Sequence, residues 1–181
     1  MEQRQKYKDA EMWEVTDKDV VQLKMDGIWC LAHVRDGKID YWSRNGQIKK
    51  STPANPNLTP GKYIGELMFG SEWAQDPRRK GKFFVFDCIE LDGRNYRLLD
   101  YNVRYQNMKF EFDSMDLGLR DVPDSWELVR NYPFHEASTL WHDVVLAQGY
   151  EGLVYRSSKG LWSETLLRQK ATFTLDLTIV G

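Results

Sequence analysis

The chain has 181 residues, 41% of them hydrophobic and 29% charged, which suits one globular domain able to bury a core without disulfide staples. The net charge of −2 argues against a globally basic surface, so any contact with nucleic acid has to come from a local patch. No apolar run approaches the roughly 18 residues of a membrane span. The polar N-terminus MEQRQKYKDAE does not resemble a signal peptide, and a cytoplasmic monomer without a membrane partner is expected.

Residues 1–19 are charged and aperiodic, and read as a loose lead-in or a short helix. From Val20 the pattern turns to strands. VVQLK, IWCLAHV and KIDYWS are separated by DG and RDG and followed by RNG, so 20–48 is expected to form an antiparallel meander. STPANPNLTPG (51–61) reads as a Pro-rich loop. Tyr63–Met68 and KFFVFDCIEL (82–91) read as strands, whereas 92–125 gives no clear pattern. Apolar residues at helical spacing, with Gly149 at the C′ position, predict a helix over Ala137–Gln148. EGLVYRS, LLRQK and FTLDLTIVG close the chain as strands. The class is α+β with mainly antiparallel sheets flanked by helices. Cys30 and Cys88 lie in apolar runs without metal-ligand spacing and are expected in the core as reduced thiols.

One residue sits oddly in this pattern. Strand alternation puts Val20, Gln22 and Lys24 on one face of VVQLK, with Val21 and Leu23 on the other. A lysine at the end of a hydrophobic strand commonly snorkels to solvent. In a partly desolvated pocket, or beside another cation, it becomes a nucleophilic amine.

The residues around it favour the second role. LKMDG (23–27) resembles the KxDG motif of the covalent nucleotidyltransferases, the superfamily of ATP-dependent DNA ligases, RNA ligases and mRNA capping enzymes. SRNG (43–46) resembles the RxG motif, GEL (65–67) the GEL motif, and FFVFDCI (83–89) the aromatic-plus-Asp strand. EGLVYR (151–156) is similar to EGLVxK, and LLRQK (166–170) to the paired-basic KxK motif. The six follow the family's order across residues 22–170. The tail FTLDLTIVG is similar to the TLDL segment of many DNA ligases, so the chain is identified as the adenylylation domain of an ATP-dependent DNA ligase.

That resemblance implies an ATP-grasp-like nucleotidyltransferase domain over 20–181. It also implies a reaction in which Lys24 attacks the α-phosphate of ATP to give lysyl-AMP and pyrophosphate. AMP then passes to the 5′-phosphate of nicked double-stranded DNA for sealing in repair or replication. Asp26 shares the face of Lys24 or only forms the turn. Arg44 would grip ribose and phosphate with its guanidinium fork. Glu66 and Glu151, hard oxygen donors, would hold Mg²⁺, with Glu66 also reaching the ribose hydroxyls. Phe86 holds the adenine-stacking position. Gln22 would contact the purine edge, although many ATP-dependent relatives carry an acid there. Arg168 and Lys170 would bind the α-phosphate and lower the pKa of Lys24. Arg168 replaces the family's usual lysine, keeping the charge without an adjustable proton.

Ligases of this type carry an oligonucleotide-binding (OB-fold) domain after the catalytic one. No such sequence is present up to Gly181, and slow self-adenylylation and poor nick sealing are expected of this domain alone. An RNA ligase or a capping guanylyltransferase is the neighbouring alternative. A non-catalytic nucleic-acid-binding module is the alternative from another class, with basic clusters at Lys49–Lys50 and at Arg78, Arg79, Lys80 and Lys82.

Overall fold

The computed structural model of the chain describes residues 6–11, 14–69, 76–116 and 123–171. Two sheets form the frame. The first has the strand order β1-β12-β11-β2-β10, where β1 is Tyr7–Asp9, β2 Asp19–Lys24, β10 Tyr132–Pro133, β11 Gly152–Ser157 and β12 Leu166–Lys170. The second runs β5-β4-β3-β6-β7-β8, built from β3 Ile28–Arg35, β4 Lys38–Ser43, β5 Ile48–Pro53, β6 Gly61–Leu67, β7 Phe83–Leu91 and β8 Arg94–Asn95. A short strand, β9 (Trp126–Leu128), pairs in parallel with β7. Apart from β9 on β7 and β1 on β12, the pairings are antiparallel.

The expected meander over 20–48 begins only at β3. Asp36-Gly37 makes the β3–β4 hairpin, with φ of 52° and 69°, the double positive φ that a two-residue type I′ turn demands. Gly46, at φ 72°, closes the turn into β5. The first DG does something different. Asp26-Gly27 carries the chain out of the first sheet and into the second, so β2 and β3 are not partners. The segment expected as a loop from residue 51 begins as the end of edge strand β5, where Pro53 costs no interior ladder bond. The lead-in, expected to be loose or helical, contains β1, which lies at the sheet edge beside Leu166–Arg168.

Residues 92–125, unreadable in the sequence, contain the long helix α1 (Tyr101–Asp116). Its Tyr101, Tyr105 and Met108 pack with Tyr63, Phe83 and Val85 of the second sheet. The opposite face of that sheet gathers Trp29, Leu31, Ile64, Phe84 and Phe86. The first sheet turns Val21, Leu153 and Tyr155 towards a helical segment that holds Leu140 and Val145. That segment is helical through 148 as predicted, but starts earlier, with a 3₁₀ turn over Phe134–Glu136 followed by α2 (Ala137–Thr139). It is wound as a π-helix over Leu140–Leu146. Gly149 ends it at φ 70°. Both cysteines are buried and free, and burial pushes the Cys30 thiol up to about 12. The strand expected at FTLDLTIVG lies outside the described residues. No helix among the described residues is long and apolar enough to cross a membrane.

Candidate nucleotide-binding site

The pairing register explains why three separated sequence segments meet. Gly152 of β11 stands between Lys24 of β2 and Lys170 of β12, and Val154 stands between Gln22 and Arg168. Gln22, Lys24, Arg168 and Lys170 therefore emerge from one face of the first sheet. Gln169 points the other way, where the Tyr155 hydroxyl donates to its Oε1 at 2.7 Å. At Gly152 the φ is 154°, and a Cβ would lie 1.9 Å from the Gln169 carbonyl oxygen. Only glycine lets β11 and β12 approach this closely, and no side chain intervenes between the two lysines.

Lys24 Nζ donates to Glu151 Oε2 at 2.5 Å, and Lys170 Nζ lies 3.2 Å from Glu151 Oε1. One carboxylate thus bridges two ammonium groups. All three side chains are only partly exposed, so the pairs are less screened than surface ion pairs.

Glu66 faces this cluster from β6. Its Oε2 is buried without a hydrogen-bond partner. Desolvation pushes the Glu66 carboxyl up to about 8; Lys24 opposes this rise and Glu151 adds to it. Gln22, Lys24, Glu66 and Phe86 line one cavity of about 20 Å³, together with Tyr7 and Arg156. Phe86 is buried, as its apolar neighbours suggested.

Beneath the cavity runs a network that the sequence did not reveal. Arg104 grips Asp87 with two bonds, Nε to Oδ1 at 2.8 Å and Nη2 to Oδ2 at 3.0 Å. Arg156 adds Nη1 to Oδ2 at 3.0 Å, and its guanidinium carbon stands 5.0 Å from the Phe86 ring centroid. The Tyr101 hydroxyl accepts from Gln22 Nε2 at 3.0 Å and sits 3.2 Å from the Phe86 carbonyl. Arg156 occupies the final position of the EGLVYR motif, and Asp87 follows Phe86 directly. The signal available to sequence reasoning was therefore two motif positions without an assigned role.

Three of the expected residues are placed differently from this group. Arg44 is exposed in its turn and lines a neighbouring groove with Trp29, Trp42 and Lys62. Arg168 is committed to Asp9 of β1, with Nε to Oδ1 at 2.8 Å. Asp26 does not line the cavity, although its charge adds to the rise at Glu66. The basic clusters are largely engaged. Arg78 pairs with Asp76 at 2.7 Å and Lys82 with Glu127 at 2.8 Å, while Arg79 stacks over Tyr150 and Lys50 over Tyr41.

Comparison with solved structures places this architecture. The chain is similar to a Lig E DNA ligase, described as binding DNA with a minimal scaffold, with a TM-score of 0.67 and 17% identity. The match covers 94% of this chain and 69% of that one. It is similar to the ligase domain of M. tuberculosis LigD, with a TM-score of 0.67, 14% identity, and coverage of 92% of this chain and 58% of that one. It is also similar to the Chlorella virus DNA ligase-adenylate, with a TM-score of 0.64, 16% identity, and coverage of 94% and 69%. No protein-family model and no curated protein matches the sequence. The chain thus has the fold of the nucleotidyltransferase domains of ATP-dependent DNA ligases.

Proposed function

We propose that this chain is the adenylylation domain of an ATP-dependent DNA ligase, with Lys24 as the nucleophile. The observation that carries the reading is that the Lys24–Glu151–Lys170 cluster adjoins, through Lys24, a cavity lined also by Glu66, Phe86 and Gln22. The cations and acids suit phosphates. The aromatic ring and the amide suit a purine, stacked on Phe86 and read by Gln22. The Gln22 amide nitrogen is held by Tyr101, which leaves its carbonyl oxygen to accept from an exocyclic amino group.

In the reaction, Lys24 Nζ loses a proton, with Glu151 as the adjacent acceptor, and its lone pair attacks the α-phosphorus in line with the leaving oxygen. The N–P bond forms, the α–β P–O bond breaks, and pyrophosphate leaves with the electron pair. Lys170 neutralises charge building on the non-bridging α-oxygens. Arg168 joins it once free of Asp9, and Arg44 reaches the ribose and phosphates from its turn. AMP then moves from Lys24 to the 5′-phosphate at a nick, and the strand's 3′-hydroxyl displaces it.

The residues fit Mg²⁺ in one way only. No cluster of three or more His, Cys, Asp or Glu able to hold a metal exists among the described residues, which argues against a resident all-protein site. Two acids, one with an orphaned buried oxygen, suit an ion arriving with the nucleotide, whose phosphates would share its coordination. Glu66 and Glu151 would hold it, and it would supply charge neutralisation of the polyphosphate.

The test is incubation with α-labelled ATP and Mg²⁺ followed by a denaturing gel. Acid-labile label on the protein, lost in Lys24→Ala, is the expected result. Its absence with ATP, together with label from GTP, would favour the capping-type alternative.

A further inference from the structure

Resting on the nucleotide-site reading above, we propose that β1 is an autoinhibitory strap, with Tyr7 filling the pocket that Phe86 and Gln22 line and Asp9 capping a phosphate-binding arginine. Both must withdraw before nucleotide can seat.

Two independent contacts lead there. The first is steric. Tyr7 lines the cavity together with Gln22, Phe86, Glu66 and Arg156, and what remains is about 20 Å³. That is room for roughly one water. Pockets that accept small organic ligands run to about 300 Å³ or more. The walls cannot readily yield the difference: Phe86 is buried in the second core, Gln22 is tied to Tyr101, and Arg156 is locked on Asp87. Tyr7 is the part of the lining that can leave. Its strand has three residues, lies at a sheet edge and is paired on one side only, with β12. Short edge elements of this kind open at low cost.

The second contact is electrostatic. Asp9 is two residues beyond Tyr7, hence on the same face, and stands opposite Arg168 in the register. Its carboxylate takes Arg168 Nε at 2.8 Å. The arginine expected on the α-phosphate is therefore neutralised by the strand whose Tyr7 fills the cavity. One outward movement of β1 would both open the cavity and free Arg168. The Tyr7 phenol fits this picture of a filler, since burial pushes it up to about 12 and it stays neutral. Because the strap hydrogen-bonds to β12 through Leu166 N–H to Lys6 O at 2.8 Å and Ala10 N–H to Arg168 O at 2.7 Å, its state also bears on the strand that presents Lys170.

The energetic consequence is a conformational tax: apparent affinity falls by the fraction of molecules with the strap withdrawn. The experiment measures binding of AMP, which lacks a leaving group and cannot react, to the 181-residue chain and to Tyr7→Ala, Tyr7→Phe and Asp9→Asn. Tyr7→Ala is expected to bind about tenfold more tightly, with Tyr7→Phe close to the parent because the plug works by shape. Asp9→Asn is expected to gain about two- to threefold, a gain that disappears in an Arg168→Ala background. Should Tyr7→Ala fail to fold, amide exchange on the parent chain decides: exchange at residues 6–10 rises with AMP if the strap leaves. Unchanged or weaker binding by Tyr7→Ala, or slower exchange in β1 with AMP, overturns the proposal; weaker binding makes Tyr7 a base-stacking residue. Absence of AMP binding by parent and Tyr7→Ala alike overturns the nucleotide-site reading itself, and the strap with it.

Discussion

Lys24 and Glu151 are 127 residues apart in the chain, and their side chains meet at 2.5 Å. The contact follows from register, since Gly152 pairs with Lys24 and Glu151 lies one residue before it. A carboxylate in this position holds the amine in place and offers somewhere for its proton to go. Glu151→Gln keeps the shape and removes the charge. Transfer of α-label to Lys24 is expected to slow by about 10²-fold or more in Glu151→Gln, the usual scale for loss of acid–base assistance. Single-turnover labelling at saturating ATP measures it. A rate within threefold of the parent would mean that Glu151 only shapes the pocket.

Glu66 makes stability depend on pH. Its carboxyl lies at about 8 in the folded chain, against 4.5 for an ordinary glutamate. Below pH 4.5 both states are protonated and the group is neutral in its effect. Between 4.5 and 8 the unfolded chain ionises first, so stability falls as pH rises; above 8 the loss is complete. Glu66→Gln removes this term and is expected to stabilise the chain by on the order of 3 kcal/mol at pH 7, with little gain at pH 4.5. Urea denaturation of both proteins at the two pH values checks it. The same variant should label poorly with ATP, which would mark Glu66 as a site where stability is given up for chemistry.

The buried network predicts a different kind of loss. Asp87, fully buried, is the acid shared by Arg104 and Arg156, which are buried almost completely. Asp87→Ala leaves two guanidinium groups without their counter-ion in the interior. Breaking a buried pair in this way costs about 3–5 kcal/mol. The expectation is a large drop in the denaturation midpoint, well beyond that of Asp9→Ala, whose partner Arg168 is partly exposed.

The same residues explain what could be read from sequence. Strands β2, β3, β4, β6, β7, β11 and β12 announced themselves by alternation or by dense apolar runs, and the local motifs fell on them or at their ends. The helix α1 did not. It buries Arg104, Glu111 and Ser114 beside Tyr101, Tyr105 and Met108 while exposing Val103 and Phe110, which blurs the amphipathic pattern from which helices are recognised. Burial of Arg104 depends on Asp87, a partner seventeen residues away that no local window contains. The Asp26-Gly27 turn misled for a related reason. A DG between apolar runs signals a hairpin, but here it serves a change of sheet, with Gly27 pressed against the Leu67 backbone so closely that a Cβ would lie 2.8 Å from its oxygen. Lys24 and Glu151 were legible as separate candidates. That Arg168 would be held by Asp9, in a segment read as a loose lead-in, required the register of β1 on β12.

Gly152 offers the sharpest separation of backbone from chemistry. It touches none of the expected substrate groups, yet it sets the spacing of the two strands that carry Lys24 and Lys170. A methyl group there would lie 1.9 Å from the Gln169 carbonyl oxygen at a φ of 154°, so β11 and β12 have to part. Gly152→Ala is expected to cost more than about 2 kcal/mol, combining backbone strain with overpacking against main chain, which cannot rotate away. Gly149→Ala is the matched control. It also has a positive φ, 70°, but nothing lies within 4 Å of its added Cβ, so about 1–2 kcal/mol of left-handed strain is the whole expected effect. Thermal melts should rank Gly152→Ala well below Gly149→Ala. Labelling by α-labelled ATP, measured at a temperature where both variants are folded, should survive in Gly149→Ala and fall sharply in Gly152→Ala. Equal labelling in the two would show that the spacing between Lys24 and Lys170 is not what the glycine protects.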